Sequence, residues 1–193
     1  MALTFTPTTE LQAVNAMLAS IGETPVSDIP ASGISDAAIA RDKLHEVNRQ
    51  VQGMALKCNT DYKVESSPDV DGYINIPTNA LRVTAYYQFK DYAVRNRKLY
   101  DRMEQTLVFT EVVYLNITTF LEWLELPEHV RRYIAVKAGR RFQAEAVSSQ
   151  ILWNFSAVDE GEARAEMMRW ELIKHSDSIL HSEGIAQTLN RRA

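Results

Sequence analysis

Apolar side chains recur every three or four residues near both ends of this chain, and this spacing constrains the fold more than any other feature. It places them along one side of an α-helix, which must then pack against another apolar surface. The first predicted helix has Thr8 or Thr9 as its N-cap and ends at Gly22. Its apolar stripe consists of Leu11, Val14, Leu18 and Ile21.

The second predicted helix is longer and more strongly patterned. It begins at Ser35 or Asp36 and runs to about Leu56. Charged and amide side chains occupy the other sides, a pattern that favours packing of one helix on another. Its apolar stripe consists of Ala40, Leu44, Val47, Val51 and Met54.

Helical spacing returns after Leu126. Pro127 suits the first position of a helix that runs to about Val147, because its fixed backbone angle is already helical. A last helix is predicted to begin at Ser156, where Ser156 and Asp159 match the aspartate variant of a capping box. The two stripes consist of Val130, Ile134, Ala138 and Phe142, and of Ala163, Met167, Trp170 and Ile173.

The middle of the chain, from about Thr60 to Thr119, has the signature of short strands separated by turns. Apolar and polar residues alternate over 113–118, which is the period of a strand with one buried face. Residues 73–76 and 98–100 are shorter strand candidates, and 95–98 is a candidate hairpin tip without the glycine that usually follows asparagine there. Residues 81–94 suit either strand or helix. These patterns predict an antiparallel sheet of three to five strands.

Taken together, the patterns predict an α+β fold. The N- and C-terminal segments would form a four-helix bundle, and a small antiparallel β-sheet or hairpin would be inserted between them. We expect a single chain over residues 1–193, divided into a helical part (1–58), a β-rich insertion (59–120), a second helical part (121–174) and a polar C-terminal tail (175–193). The tail is expected to become ordered only on contact with a partner.

Composition and spacing argue against most ligand sites. The net charge of −4 disfavours general binding to nucleic acid, and the single cysteine, Cys58, excludes an internal disulfide framework. No two of the seven glycines are closer than eleven residues, so a glycine-rich phosphate loop is excluded. His175 and His181 do not have the spacing of a helical zinc site. We therefore expect no cofactor, no metal and no catalytic residues.

Export and membrane signals are also missing from the sequence. Its start lacks a basic segment followed by an apolar run, and no stretch is apolar enough to cross a bilayer. Synthesis in the cytoplasm, without membrane association, is the expectation.

One enzymatic alternative remains open. Glu122 and Glu125 flank Trp123, and a carboxyl group with a raised pKa in a cleft is what a cell-wall hydrolase requires. The simpler interpretation is that these acids occupy the start of a helix, where the helix dipole favours negative charge.

Positive charge is concentrated in two places. One is the candidate hairpin tip, with Arg95, Arg97 and Lys98. The other is the helix after Leu126, with Arg131, Arg132, Lys137, Arg140 and Arg141. Arg141 lies within the apolar stripe, so a carboxylate across a helix–helix or subunit contact is its expected partner; solvated charge and phosphate binding are the alternatives.

The last helix is the expected source of the counter-charge, because residues 156–171 carry five acids and two arginines. Its acids include Asp159, Glu160 and Glu162. A separate DNA-binding module built on 95–98 is conceivable, but the net charge disfavours it.

Several segments, in order along the chain, resemble the tail tubular protein A family, the adaptor or gatekeeper proteins of short-tailed bacteriophages. The similarity is most specific over residues 13–26, which read AVNAMLASIGETPV, and over 126–143. Further similar segments are 40–44, 47–52, 98–102 and 159–164. The resemblance covers nearly the whole chain and is loosest over 60–95 and after 174.

The resemblance implies a structural role in the virion tail. Members of the family form a ring of twelve subunits below the portal protein, join it to the tubular nozzle protein (tubular protein B) and help to hold the tail fibres. The ring encloses the channel through which DNA leaves, so DNA would pass without specific binding. No catalytic residues are established for the family.

Ring closure requires one patch of a subunit to meet a different patch of its neighbour. We expect the basic helix over 131–141 to meet an acidic surface, either the neighbour's helix over 159–171 or the portal. Reversing Arg140 and Arg141 to glutamate should then weaken ring assembly. The candidate interface residues are Arg95, Arg97, Lys98, Lys137, Arg140, Arg141, Asp159, Glu160 and Glu162.

Overall fold

The computed structural model describes residues 8–30, 33–147 and 150–180. Within these ranges the chain forms four α-helices: α1 (Glu10–Ser20), α2 (Asp36–Gln52), α3 (Glu128–Val147) and α4 (Gln150–Leu180). It also forms five strands: β1 (Thr60–Ser66), β2 (Ala80–Ala85), β3 (Tyr92–Arg95), β4 (Lys98–Asp101) and β5 (Val113–Thr119). Short 3-10 helices lie at Lys57–Asn59 and Trp123–Glu125. The predicted α+β class is confirmed.

The chain divides into two compact units. The helical unit contains the residues up to Val47 and those from Leu126 onwards, and the strand unit contains Asn48–Glu125. The boundary therefore falls inside α2.

The first helix has the ends that the sequence predicts. The Thr9 hydroxyl accepts a hydrogen bond from the backbone N–H of Gln12 (3.2 Å), and the Thr9 N–H donates to the Gln12 side chain (2.9 Å), so the pair forms a capping box. At the other end Gly22 has a φ of +85°, the left-handed conformation that commonly ends a helix.

Within the helical unit, α3 packs against both α1 and α4. The predicted stripe of α3 is completely buried, as are Ala163 and Met167 of α4 and Val14, Met17 and Leu18 of α1. The predicted α2 residues Ala40, Leu44 and Val47 are buried as well. In the predicted stripe of α4, however, Trp170 is 53% exposed, and the side chain of Ile173 lies outside what the structure describes. Spacing of three and four residues therefore identified the inward sides of α1, α2 and α3, and that of α4 at Ala163 and Met167.

Two predicted helix ends are wrong. The second helix ends at Gln52 rather than near Leu56, and Ala55 has a left-handed φ of +62°, so Met54 falls beyond the stripe and is 43% exposed. The last helix begins at Gln150, six residues before Ser156. No proline or glycine interrupts residues 150–156, so nothing there stops the helix from starting earlier.

The predicted C-terminal tail is helical at its beginning, since α4 continues to Leu180. The rest of the tail, 181–193, lies outside the described residues. That the tail becomes ordered only on contact with a partner therefore stays a prediction.

In the strand unit, β5 lies between β1 and β2 in an antiparallel sheet of order β1–β5–β2. The alternation predicted for 113–118 is confirmed, since Leu115 and Ile117 are buried. Residues 81–94, which suited strand or helix, contain most of β2 and the start of β3. Residues 73–76 form no regular strand; Asn75 makes a single bridge to Lys98, while Ile74 and Ile76 fill the core beneath the sheet.

Strands β3 and β4 form a hairpin in which Arg95 pairs with Lys98 across the turn residues Asn96 and Arg97. Both turn residues have positive φ, +49° and +61°, as a type I′ turn requires. The predicted hairpin tip is thus present, with arginine at the position where glycine is usual.

Candidate assembly surfaces

Arg131 is a buried structural residue. Its Nε donates to the carbonyl of Leu126 (2.7 Å), and an Nη donates to the carbonyl of Thr8 (3.2 Å). The guanidinium therefore joins the start of α3 to the residue before the α1 cap.

Two other arginines of α3 form ion pairs with α4. Arg132 pairs with Glu166, and Arg140 with Glu160, each at 2.7 Å. The last helix thus supplies counter-charge to α3 inside one chain, whereas contact of the basic helix with a neighbour's last helix or with the portal stays a prediction. Because these carboxylates are already engaged, α3 presents less free positive charge to a partner than its sequence suggests.

Arg141 points to α2, where its Nη lies 3.6 Å from a carboxylate oxygen of Glu46. Beside it, Lys43 of α2 contacts Glu145 of α3 at 2.7 Å. The hydrogen bond to Glu145 raises the pKa of Lys43 above its ordinary value. The remaining member of the basic group, Lys137, lies over the ring of Tyr133 at 5.4 Å.

A groove of about 410 Å³ lies between α1, α3 and α4. Its apolar lining consists of Ala16, Met17, Ala135, Val136 and Gly139. Asp159 and Glu162 of α4 also line it, and both are exposed. Neither carboxylate forms an ion pair with another described residue. We call this cleft the acidic groove.

The hairpin carries the second cluster, which we call the basic tip: Arg95, Arg97 and Lys98. The guanidinium carbon of Arg95 lies 3.6 Å from the centre of the Tyr100 ring, and the ammonium of Lys98 lies 3.2 Å from that of Tyr73. Arg97 is exposed at the turn. None of the three forms an ion pair with the part of the chain that the structure describes.

The candidate hydrolase carboxylates serve a local structural purpose. Glu122 and Glu125 are both exposed, and Glu125 accepts a hydrogen bond from the backbone N–H of Glu122 (3.0 Å). That contact closes the 3-10 turn around the buried Trp123.

The described residues bring no three His, Cys, Asp or Glu side chains together in a way that would hold a metal ion. Among the described helices, none is both long and apolar enough to cross a membrane.

Sequence reasoning missed an aromatic surface on the strand unit. The ring of Tyr87 makes edge-to-face contacts with the rings of Tyr86 and Tyr114, whose centres lie 5.1 Å and 6.0 Å from its own. Phe89 is 88% exposed. A cleft of about 290 Å³ lies beside Tyr87 and Tyr92. Aromatic groups exposed together often mark a contact surface. The sequence feature that indicates this surface is the pair of adjacent tyrosines at 86 and 87.

His129 of α3 stacks on Trp170 of α4, with ring centres 5.6 Å apart and planes inclined by 15°. Burial lowers the pKa of His129 below its ordinary value, while the nearby carboxylates of Glu171 and Glu166 act in the opposite direction.

We expect acidification through about pH 6.5 to reduce stability at this contact. Because the folded-state pKa of His129 is the lower one, the unfolded chain binds the proton first and gains stability as the pH falls. The measurement is the melting temperature at neutral and mildly acidic pH. His129→Phe keeps a stacked ring without a titrating group, so its melting temperature should fall less than that of the wild type. An equal fall in both proteins would contradict the expectation.

A family model described as tail tubular protein matches residues 11–176. This match covers most of the chain, including all four helices in whole or part and both sheets. The chain therefore belongs to the tail tubular protein family, and it is a structural component of a bacteriophage tail. It is similar to tail tubular protein A of Klebsiella phage KP34, with 35% identity over 130 residues, which are 65% of this chain and 67% of the relative.

Proposed function

We propose that this protein is a head-to-tail adaptor. In this role it forms a ring of twelve copies between the portal protein and the tubular nozzle protein, encloses the channel for DNA and helps to attach the tail fibres. The observation that carries the proposal is the family match over residues 11–176.

The arrangement of charge supports a subunit of this kind. Ion pairs that join α3 to α2 and α4 lie inside the chain, so the helical unit is stabilised before any partner binds. Outside these pairs the chain carries two clusters of opposite sign, the basic tip with Arg95 and Arg97 exposed and the acidic groove with Asp159 and Glu162 exposed. A ring requires two different, complementary patches on each subunit.

The candidate interface residues predicted from the sequence divide into two sets. One set stabilises the helical unit, and the other contacts other subunits or the portal. In this proposal Arg140, Arg141 and Glu160 hold the helical unit together as a single bundle of four helices. Lys137, the basic tip, Asp159 and Glu162 remain as contacts to other subunits or to the portal. The net charge of −4 supports a channel that lets DNA pass without gripping its phosphates.

The test is the mass of the full-length protein in solution, alone and after mixing with its portal protein. We expect a 21.9 kDa monomer that becomes a ring on the portal, or a ring that is already formed. Addition of the nozzle protein should then extend the complex on the other side. A monomer that binds neither protein would contradict the adaptor function.

A further inference from the structure

The acidic groove has the features of a docking site for a small positively charged projection. Its floor is built from small side chains and Gly139, where an added Cβ would come no closer than 3.7 Å to Met17. A volume of about 410 Å³ suits the end of a turn rather than a broad protein surface. Asp159 and Glu162 give its edge a negative charge.

Two arginines, Arg132 and Arg140, also line the groove, but neither forms an ion pair with Asp159 or Glu162. Arg132 and Arg140 are engaged with Glu166 and Glu160. Asp159 and Glu162 therefore retain their charge toward a partner, while the surrounding walls are held in place by the two ion pairs.

The basic tip is complementary to this groove in charge and shape. A two-residue turn is the narrowest end that a hairpin can have. Contacts of Arg95 with Tyr100 and of Lys98 with Tyr73 limit the motion of the two cations, which reduces the entropy lost on binding.

We propose that the basic tip of one subunit docks into the acidic groove of a second copy of this chain, with Arg95 and Arg97 facing Asp159 and Glu162. The inference rests on the proposed ring and names the contact between its neighbours. Because the tip and the groove are two different patches of the chain, each copy can give its tip to one neighbour and receive the tip of another. Repetition of such a heterologous contact closes into a ring when the rotation between neighbours divides a full turn.

Charge reversal in two separate variants tests the contact. One variant carries Arg95→Glu and Arg97→Asp, since aspartate tolerates the left-handed backbone at position 97. The other carries Asp159→Lys and Glu162→Lys. Each variant alone should need at least about tenfold more protein to form rings on the portal, because like charges then face each other.

A mixture of the two variants gives the decisive result. In an equimolar mixture every reversed tip can meet a reversed groove, and every original tip an original groove, so rings of alternating subunits should form. A chain carrying all four changes should also assemble. Recovery in the four-change chain without recovery in the mixture would show a contact within one chain and would overturn the proposal. Rings from either variant alone at the wild-type concentration would overturn it as well.

Two controls separate assembly from folding. Arg49→Glu with Arg82→Glu makes the same change in charge at exposed positions of the strand unit and should leave assembly unchanged. Arg97→Gly removes one cation and relieves the left-handed backbone, so its melting temperature should equal or exceed that of the wild type while assembly weakens. Unimpaired assembly of Arg97→Gly would count against the proposal even if the charge-reversed variants failed to fold.

The wild-type measurement separates this inference from the adaptor function. If the wild type forms no ring with its portal, the adaptor function fails and the contact fails with it. If the wild type forms rings and both charge-reversed variants do so equally well, only the tip-to-groove contact is overturned.

Discussion

Replacement of Gln52 by leucine should lower the free energy of unfolding by about 2–3 kcal/mol. The Gln52 side chain is completely buried, and its amide donates to the carbonyl of Leu121 and to the side chain of Asn48, both at 2.9 Å. Its oxygen accepts a hydrogen bond from the Leu121 N–H at 2.8 Å. Leucine has a similar size but leaves the N–H and carbonyl of Leu121 without these partners. The measurement is urea denaturation followed by circular dichroism.

The matched control is Gln88→Leu, the same substitution at an exposed position of the strand unit. This change should alter the free energy of unfolding by no more than about 0.5 kcal/mol. Equal effects of the two substitutions would show that the buried hydrogen bonds of Gln52 add nothing to stability.

The second large effect is expected at the ion pair between Arg140 and Glu160. Their side chains are only 18% and 19% exposed, so the ion pair stabilises each charge more than water does. Arg140→Met should lower the free energy of unfolding by about 2–3 kcal/mol, because the Glu160 carboxylate is left in a poorly solvated position. Replacement of both residues by methionine should restore most of this loss, since no uncompensated charge remains.

Arg132→Met provides the comparison. Its pair with Glu166 has the same 2.7 Å distance, but the side chains are 57% and 41% exposed. The cost should therefore stay below about 1 kcal/mol. Urea denaturation of the two single variants and the double variant checks both expectations. A double variant no more stable than Arg140→Met would contradict the expected cost of leaving the Glu160 carboxylate without its partner.

The reversal of Arg140 and Arg141 to glutamate tests ring assembly only if the helical unit keeps its stability. Both arginines contact carboxylates of other helices in the same chain, so the reversal should reduce stability as well as assembly. Only a loss of rings at unchanged melting temperature would assign these residues to a subunit interface.

Much of the fold was accessible from local patterns. Spacing of three and four residues located the buried side of each helix, and Thr9 with Gln12 marked the start of α1. Alternation over 113–118 located the central strand of the sheet. These features can be predicted because the periodicity of a helix or strand is imposed by its own backbone.

Other features depended on competition between signals of similar strength. Ser156 and Asp159 match a capping pattern, yet the helix begins at Gln150, because capping contributes only about 1 kcal/mol and no glycine or proline over 150–156 interrupts the helix. Arg97 adopts the left-handed conformation without being glycine, because the pairing of Arg95 with Lys98 requires a two-residue turn there.

The sequence by itself determined the α+β class, the inward sides of the helices, the position of the basic hairpin and membership of the tail tubular family, because each depends on residue order along the chain. Only the tertiary structure decided which charges are paired inside the chain and which face outward. Arg140 and Glu160 are 20 residues apart in sequence, and Arg141 and Glu46 are 95 apart, so no local periodicity connects them. Their pairing follows from how α2, α3 and α4 pack, and the same packing leaves Asp159 and Glu162 beside an open groove.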